Sequence, residues 1–518
     1  MSDKEGVMPS IFLKGHQAMA GKEPGQAALL AVILLPVLLL AALFVFNTGQ
    51  LTATKLRTQN AADGAAYSAM QLQARQLNFI AYTNRAMVAN QVAMGQMVSL
   101  VSWSRYAKTL GENIDHLGTL ASWIPGVGQI IKSITQTIQQ ISSALETGVS
   151  AMSRVAIPIL DQADSIYSSA QDGFNVSFYT ALPIWMNRVV AFNDPKAEID
   201  NMLVGIGTVQ YKLDRNAWLT QWGGTGSKGK PLAQARMATL INASRDGFTA
   251  ERNALPTPLQ PVGDKNLYAV KWRFDRRGGS QIAQDPNSGE YLWSGIDTLS
   301  FRLWNWRCDW RGCRWRGGGE MSLGYGAAHT TNLSQYDYGM RHYTETYADP
   351  NNPGKGDQHR NIPTYQGSWG ANPRASSVAA YQNPDRSGGF TPSPLGSRRE
   401  DDGGISRYWD LVGRTADNTD NAPSLMVMVR HSRNAVRDSV TALGITRHND
   451  HINLELPQKA DGNEIRAVAK AQVYFRRPTS LWVRPDRLDE RGNLFSPFWE
   501  ARLVDLTETE RAAIAVAR

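Results

Sequence analysis

The sequence predicts an α+β protein with a single N-terminal transmembrane helix, a membrane-proximal helical stalk and an irregular β-rich head. Three observations carry that expectation. Ala27 to Phe46 reads AALLAVILLPVLLLAALFVF, 20 apolar residues inside a longer stretch, Pro24 to Thr54, that holds no charge. From there to about residue 210 the chain is patterned at helical spacing and rich in small residues. Beyond Tyr211 lie 12 of the 15 Trp residues, with many Gly, Asn and Pro, among short runs of β type.

The first element is a membrane span by length, since about 20 apolar residues cover a hydrocarbon core of roughly 30 Å. The span is placed at 25–50, after a tail, 1–24, expected to be disordered and cytoplasmic. Pro36 sits mid-span, which a membrane helix tolerates when neighbours satisfy the freed carbonyl. The alternative is a cleaved secretory signal, whose apolar core runs about 7–15 residues to a small-x-small site. This run is longer and starts late. No second apolar stretch of that length follows, so a small membrane foot is expected to carry a large water-facing body. Lys4, Lys14 and Lys22 precede the span and Lys55 and Arg57 follow it, a slight bias that leaves orientation open on charge alone.

The net charge of +8 and pI near 9.3 are modest for 57.1 kDa. They permit weak attraction to anionic lipid, nucleic acid or polysaccharide without selecting one. Two cysteines, Cys308 and Cys313, exclude a disulfide scaffold and a four-thiolate metal site within one chain.

The stalk is read over 51–210. Leu51 to Leu110 is helical, with Ala61, Ala62, Gly64, Ala65, Ala66 and Ala69 offering close approach to another helix. Met87, Val88, Val92, Met94, Met97, Val98 and Val101 then form a stripe expected to be core. Pro125-Gly126-Val127-Gly128 breaks the helix. An apolar seam follows at Val127, Ile131, Ile134, Ile138, Ile141, Leu145, Val149 and Met152, in steps of mostly four and three. That is coiled-coil spacing, to be buried by an antiparallel hairpin or by association between subunits. A third helical stretch, Leu160 to about Val204, is expected with breaks at Pro158 and Pro183.

The head is read over 211–518. Its β-like runs are Leu267 to Phe274, Leu425 to Arg430 and Ile465 to Phe475. The last alternates Ala467, Ala469, Ala471, Val473 and Phe475 with Arg466, Lys470, Gln472 and Tyr474, a half-buried strand. Residues 350–404, rich in Gly, Pro, Asn and Ser, read as a long flexible segment.

Three blocks stand in a fixed order: Gly25-Gln26-Ala27 opening the span, Asn47-Thr48-Gly49 closing it, and Leu56 to Ala66, LRTQNAADGAA. Together, over about residues 20–70, they resemble the TadG-like proteins of bacterial Flp (tight adherence) pilus assembly, a resemblance that implies a polar turn at the end of the span. The resemblance implies a bacterial envelope protein, single-pass in the inner membrane, with the large C-terminal part extracytoplasmic. It implies partners among other pilus-assembly or envelope proteins besides the lipid bilayer, and permits a helix-mediated oligomer; no specific nucleic acid is expected. Asn60, Ala62, Asp63 and Ala66 are the expected partner-docking residues. The plain alternative is an Ala-rich helix that simply continues out of the membrane. Two departures matter. Pilin-like members are cut after Gly with Glu at the fifth mature position, where Gly25 would place Leu30, so prepilin-peptidase processing is not expected. Asp164-Ser165-Ile166-Tyr167-Ser168 lacks the Asp-x-Ser-x-Ser spacing of the metal-binding adhesion domain some members carry.

The densest chemical signal is FRLWNWRCDWRGCRWRGGG, Phe301 to Gly319, in which Arg302, Arg307, Arg311, Arg314 and Arg316 interleave with Trp304, Trp306, Trp310 and Trp315. Guanidinium groups grip phosphate or carboxylate, and indoles stack on bases or sugars. Arg307, Trp310, Arg311 and Arg314 are therefore a candidate anionic-ligand patch. The plainer reading is a twisted hairpin held by cross-strand Trp–Arg stacking, with no ligand. In an oxidising envelope a Cys308–Cys313 disulfide is expected to clip it. The cysteine spacing is not that of a thioredoxin-like redox motif.

His448 and His451 flank Asp450 but lack the helical pair and Glu of a zincin, and read as a solvated loop. Neither a dinucleotide fingerprint, a phosphate-cradling Gly-Lys-Ser/Thr loop nor a Gly-x-Ser-x-Gly elbow occurs. Asp401-Asp402 lies in loop-like sequence. The expectation is a protein that is not an enzyme, with no cofactor or metal, assisting assembly, anchoring or surface display of a Tad/Flp-type pilus. The alternatives are a membrane-tethered extracytoplasmic binding module for polysaccharide or nucleic acid, and an envelope hydrolase whose active site no motif reveals.

Overall fold

The apolar run and the small-residue run form one helix. The computed structural model describes residues 24–121, 127–222, 229–255, 260, 265–284, 290–330, 404–412, 422–443, 464–478 and 490–516, and helix α1 spans Pro24–Ala121 without interruption. At 98 residues it is roughly 150 Å long. The polar turn expected at Asn47-Thr48-Gly49 is corrected: these residues stay helical. Their polar side chains are occupied in ways compatible with the helix. The Thr48 and Thr52 hydroxyls donate to the Phe44 and Thr48 carbonyls one turn back, each at 2.9 Å. The Asn47 side-chain oxygen accepts from the Ser439 amide at 2.7 Å.

Helix α2 (Val127–Asn193) returns antiparallel to α1. Phe79 stacks on Phe174 with ring centroids 5.2 Å apart. Gln171 donates to Thr83 and Asn84 at 2.7 and 2.8 Å, and Asn90 and Gln91 donate to Asp164 at 2.8 and 3.0 Å. The breaks expected at Pro158 and Pro183 are also corrected, for α2 runs through both. Each proline forfeits a backbone hydrogen bond. Burial of Ile157, Phe178, Leu182, Met186 and Val190 holds the helix regardless. Of the apolar seam, the side chains from Val127 to Ile141 lie outside the described residues; Leu145 and Val149 are half-buried and Met152 is exposed.

The remaining elements, in chain order, are β1 (Ala197–Ile199), α3 (Asn201–Trp218), β2 (Leu219–Gln221), α4 (Gly229–Ala243), α5 (Gly247–Ala250), β3 (Lys265–Leu267), β4 (Val270–Gln284), β5 (Tyr291–Asp309), β6 (Gly312–His329), β7 (Trp409–Leu411), β8 (Ser424–Ser432), α6 (Ser439–Leu443), β9 (Glu464–Phe475), β10 (Trp499–Leu503) and α7 (Glu508–Val516). Among the described residues the strands make two four-stranded antiparallel sheets, β1-β8-β9-β10 and β3-β4-β5-β6, and a small β2-β7 pair.

Both large sheets lie on α1, so the helices of the stalk run through the head. In the first core, Ala61, Ala62, Ala65, Ala66, Ala69 and Met70 face Val427, Val429, Ala467, Ala469 and Ala471, with Met186 and Val190 alongside. The alternation predicted for β9 is observed, with Ala467, Ala469, Ala471, Val473 and Phe475 all buried. Amide side chains of α1 fix the strands' height. Asn78 donates to the Trp499 carbonyl and accepts from its amide, both at 2.9 Å, and Asn84 donates to the Trp409 and Leu494 carbonyls.

The second core holds the expected stripe, with Met87, Val88, Met94, Val98 and Val101 buried and Val92 and Met97 packed against them. Here helix and sheet meet almost backbone to backbone. A Cβ on Gly326 would overlap the Ser102 carbonyl and the Tyr106 amide, and one on Gly95 would enter the Trp293 ring. The predicted single run Leu267 to Phe274 is corrected to a hairpin: Leu267 pairs with Val270, so Tyr268 and Ala269 form the turn, with Tyr268 at a φ of 51°.

A charge cluster closes this core. Fully buried Asp297 accepts from Arg252 through two bonds of 2.9 Å, from Arg276 at 2.5 Å and from Ser102 at 2.6 Å. The Arg276 guanidinium also covers the Tyr106 ring at 4.0 Å. Burial pushes the Tyr106 phenol up to about 12, against the pull of Arg276.

Two outcomes follow. Gly326→Val forces α1 off β6 and is expected to cost at least about 2 kcal/mol, visible as a lowered melting temperature of the detergent-solubilised chain. A phenol whose folded pKa is raised stabilises the fold below pH 10.0, and that contribution fades as pH climbs towards about 12. Stability measured by denaturant titration is therefore expected to fall across this window, and less steeply in Tyr106→Phe.

Candidate functional site

Beyond the apolar run, α1 has one covered side and one open side. Leu56, Asn60, Tyr67, Arg75 and Tyr82 are exposed, Tyr67 by 41% and Tyr82 by 62%. Their spacing of four, seven, eight and seven residues keeps them within one stripe of the helix. Ala61, Ala62, Ala65, Ala66 and Ala69 occupy the opposite side and are fully buried. The expected docking set is therefore divided. Ala62 and Ala66 sit against the chain's own strands, Asn60 lies on the open stripe, and Asp63 is half-buried at its edge.

Asp63 accepts from the Gln59 amide at 2.8 Å, and the same amide reaches the Val468 carbonyl at 3.1 Å. Beside this pair a cleft of about 540 Å³ opens between α1, β9, β10 and α7, lined by Gln59, Asp63, Lys470, Arg502, Asp505 and Arg511 among others. Lys470 is tied to Glu510 by bonds of 2.8 and 2.9 Å, and Arg502 donates to Gln472 at 3.1 Å while lying over Tyr474. Burial alone would raise the Glu510 carboxyl, but hydrogen bonds from Lys470 and Thr507 outweigh it and hold the group below its usual range. The mixed charges suit a polar segment of another polypeptide better than an apolar small molecule.

The second candidate lies at the end of the β5–β6 hairpin. Trp306 faces Trp315 across the strands, their rings edge-on with centroids 5.2 Å apart, and Arg307 faces Arg314. The expected Trp–Arg cross-strand stacking is thus corrected: the register matches Trp with Trp and Arg with Arg. Arg311 does lie over Trp310, at 4.4 Å, as a neighbour in the turn. Cys308 and Cys313 are joined as a disulfide just before that turn, which Gly312 permits with a φ of 103°. Arg307, Trp310, Arg311 and Arg314 are all exposed. Asp309 pairs with Arg316 and, at 3.6 Å, with Arg314.

The structure does not bring the two candidates together. The tyrosines of the open stripe were not singled out in the sequence, although two aromatic residues opposite an alanine face mark an uncovered side. Asp164, read only as a failed metal motif, is a buried acceptor for α1. His448, His451, Asp401, Asp402, the tail 1–23 and the segment 350–403 lie outside the described residues.

These features define an α+β protein in which one N-terminal helix, long and apolar enough to cross a membrane, continues without a break into the core of the body. Residues 25–74, about a tenth of the chain, match the family model Tad, described as putative Flp pilus-assembly TadE/G-like. No curated protein and no solved structure matches the chain. The matched segment comprises the apolar run, the buried alanine face and the first half of the open stripe.

Glu510 supplies a test of the cleft. A carboxyl held below 4.5 stabilises the fold above that pH and ceases to do so as pH falls through its folded value. Glu510→Gln is expected to cost about 0.5–1 kcal/mol at neutral pH. In denaturant titrations that difference from the parent protein should vanish on acidification.

Proposed function

We propose that this is a single-pass bacterial inner-membrane protein, not an enzyme, that assists assembly, anchoring or surface display of a Flp-type pilus. Partner proteins dock along the open stripe of α1, with Asn60 and Asp63 at its membrane-near end and the charged cleft beside them. The observation that carries this reading is the family match at 25–74, because within it Leu56, Asn60 and Tyr67, left uncovered after the apolar run, lie on one stripe. Ala62 and Ala66 contribute indirectly, by seating the strands that present the cleft. The short tail stays in the cytosol and the body lies outside it. The Cys308–Cys313 disulfide supports that side, since such bonds persist in oxidising compartments.

Photo-crosslinkers placed at Asn60 and Tyr67 of the full chain in piliated cells are expected to capture a pilus-assembly protein, while one at buried Ala62 captures none. Asn60→Arg combined with Tyr67→Asp is expected to lower surface pili at least tenfold at unchanged protein level. Normal piliation by that double variant contradicts the reading.

A further inference from the structure

We infer that the tip of the β5–β6 hairpin binds the anionic surface of a lipid bilayer, and that this bilayer is not the one α1 crosses. The first half stands on the hairpin itself. Pairing of Trp304 with Gly317, Trp306 with Trp315 and Cys308 with Cys313 puts three indoles and the disulfide on one face. Asn305, Arg307, Asp309, Arg314 and Arg316 take the other face. Trp310, 86% exposed, and Arg311 cap the turn.

Four arginines stand against one aspartate at this tip, and two of them, Arg307 and Arg314, are directly opposed. Like charges in that position destabilise a hairpin. Asp309 serves Arg314 and Arg316, and Arg307 has no carboxylate partner among the described residues. An external array of anions relieves this repulsion. The tip meets that array end-on: Trp310 at the turn enters the boundary between headgroups and acyl chains, where indoles settle, while Arg307, Arg314 and Arg316 stand among the headgroups. A nucleic-acid strand stacks its bases on open ring faces, whereas Arg311 covers one face of Trp310 and Trp306 and Trp315 meet edge-on.

The second half rests on the proposed anchor. Strand β5 runs parallel to α1: Gly95 meets Trp293, Ser102 meets Asp297, and Leu110 meets Gly324, the partner of Leu299. From Phe46 to Leu110 the helix rises roughly 96 Å, and β5 extends about 36 Å further to Trp310. The tip therefore points away from the apolar run, towards a facing membrane.

The test uses the full chain held in phosphatidylcholine nanodiscs, with incorporation checked by size-exclusion chromatography, and separate vesicles with or without phosphatidylglycerol. Phosphatidylglycerol vesicles are expected to carry the nanodiscs upward on flotation, and pure phosphatidylcholine vesicles to carry at least tenfold less. Arg307→Gln with Arg314→Gln is expected to weaken capture about thirtyfold. Trp306→Ser with Trp310→Ser should weaken it at least tenfold, and Leu232→Ser, at an exposed site on α4, should change nothing. Capture that is indifferent to lipid charge, or that survives both double substitutions, overturns the lipid site. So does tighter Trp310-dependent binding of heparin or single-stranded DNA than of vesicles. Failure to enter nanodiscs overturns the anchor instead.

Discussion

The close approach of α1 to two sheets is the constraint on which the other features depend. A helix about 10 Å wide normally keeps its neighbours at side-chain distance. Here alanine at 61, 62, 65, 66 and 69, and glycine at 95 on the helix and at 295, 324 and 326 on the strands, remove that layer. Without side chains to interlock, sliding along the helix is opposed by polar bonds: Asn78 and Asn84 grip strand backbone, and Ser99 and Ser102 bond to Ser280 and Asp297. Asp297 brings two arginines into the same dry layer, an arrangement that adds little net stability but makes removal of any one member expensive. Small residues thus bring the elements together, and buried polar groups fix their register.

Because that helix is also the apolar run, the body is joined to its proposed anchor without a joint. The Asn47 bond to the Ser439 amide lies one residue beyond the last apolar position, so the short helix α6 is held at the level where lipid headgroups would begin. A body fixed in this way transmits force and orientation along α1. The open stripe then faces one direction in the plane of the membrane, and the β5–β6 tip stands at a set height. In the proposed mechanical role, such placement is the functional output.

What could be read from the sequence was whatever leaves a local period. The apolar run, the Met and Val stripe and the alternation of β9 are visible because burial on one side imposes a spacing on the residues themselves. The disulfide-clipped hairpin was visible because its cysteines flank a turn. The prolines at 158 and 183 and the polar trio at 47–49 misled for a single reason: local helix breakers were outvoted by contacts made far along the chain. The docking alanines were ambiguous on the same ground, since a smooth helix face looks identical whether its partner is another protein or the chain's own strand some 400 residues later. The Trp–Trp and Arg–Arg register of the hairpin was hidden because composition names the residues on a strand, whereas the turn decides which of them meet.

The claim that most needs a direct test is the continuity of α1 between lipid and core. Amide hydrogen exchange across residues 44–60 of the full chain in lipid nanodiscs measures it. The account predicts slow exchange without a gap through Asn47, Thr48 and Gly49. Exchange there at the rate of an unstructured peptide, with protection on both sides, would show a hinge and contradict it.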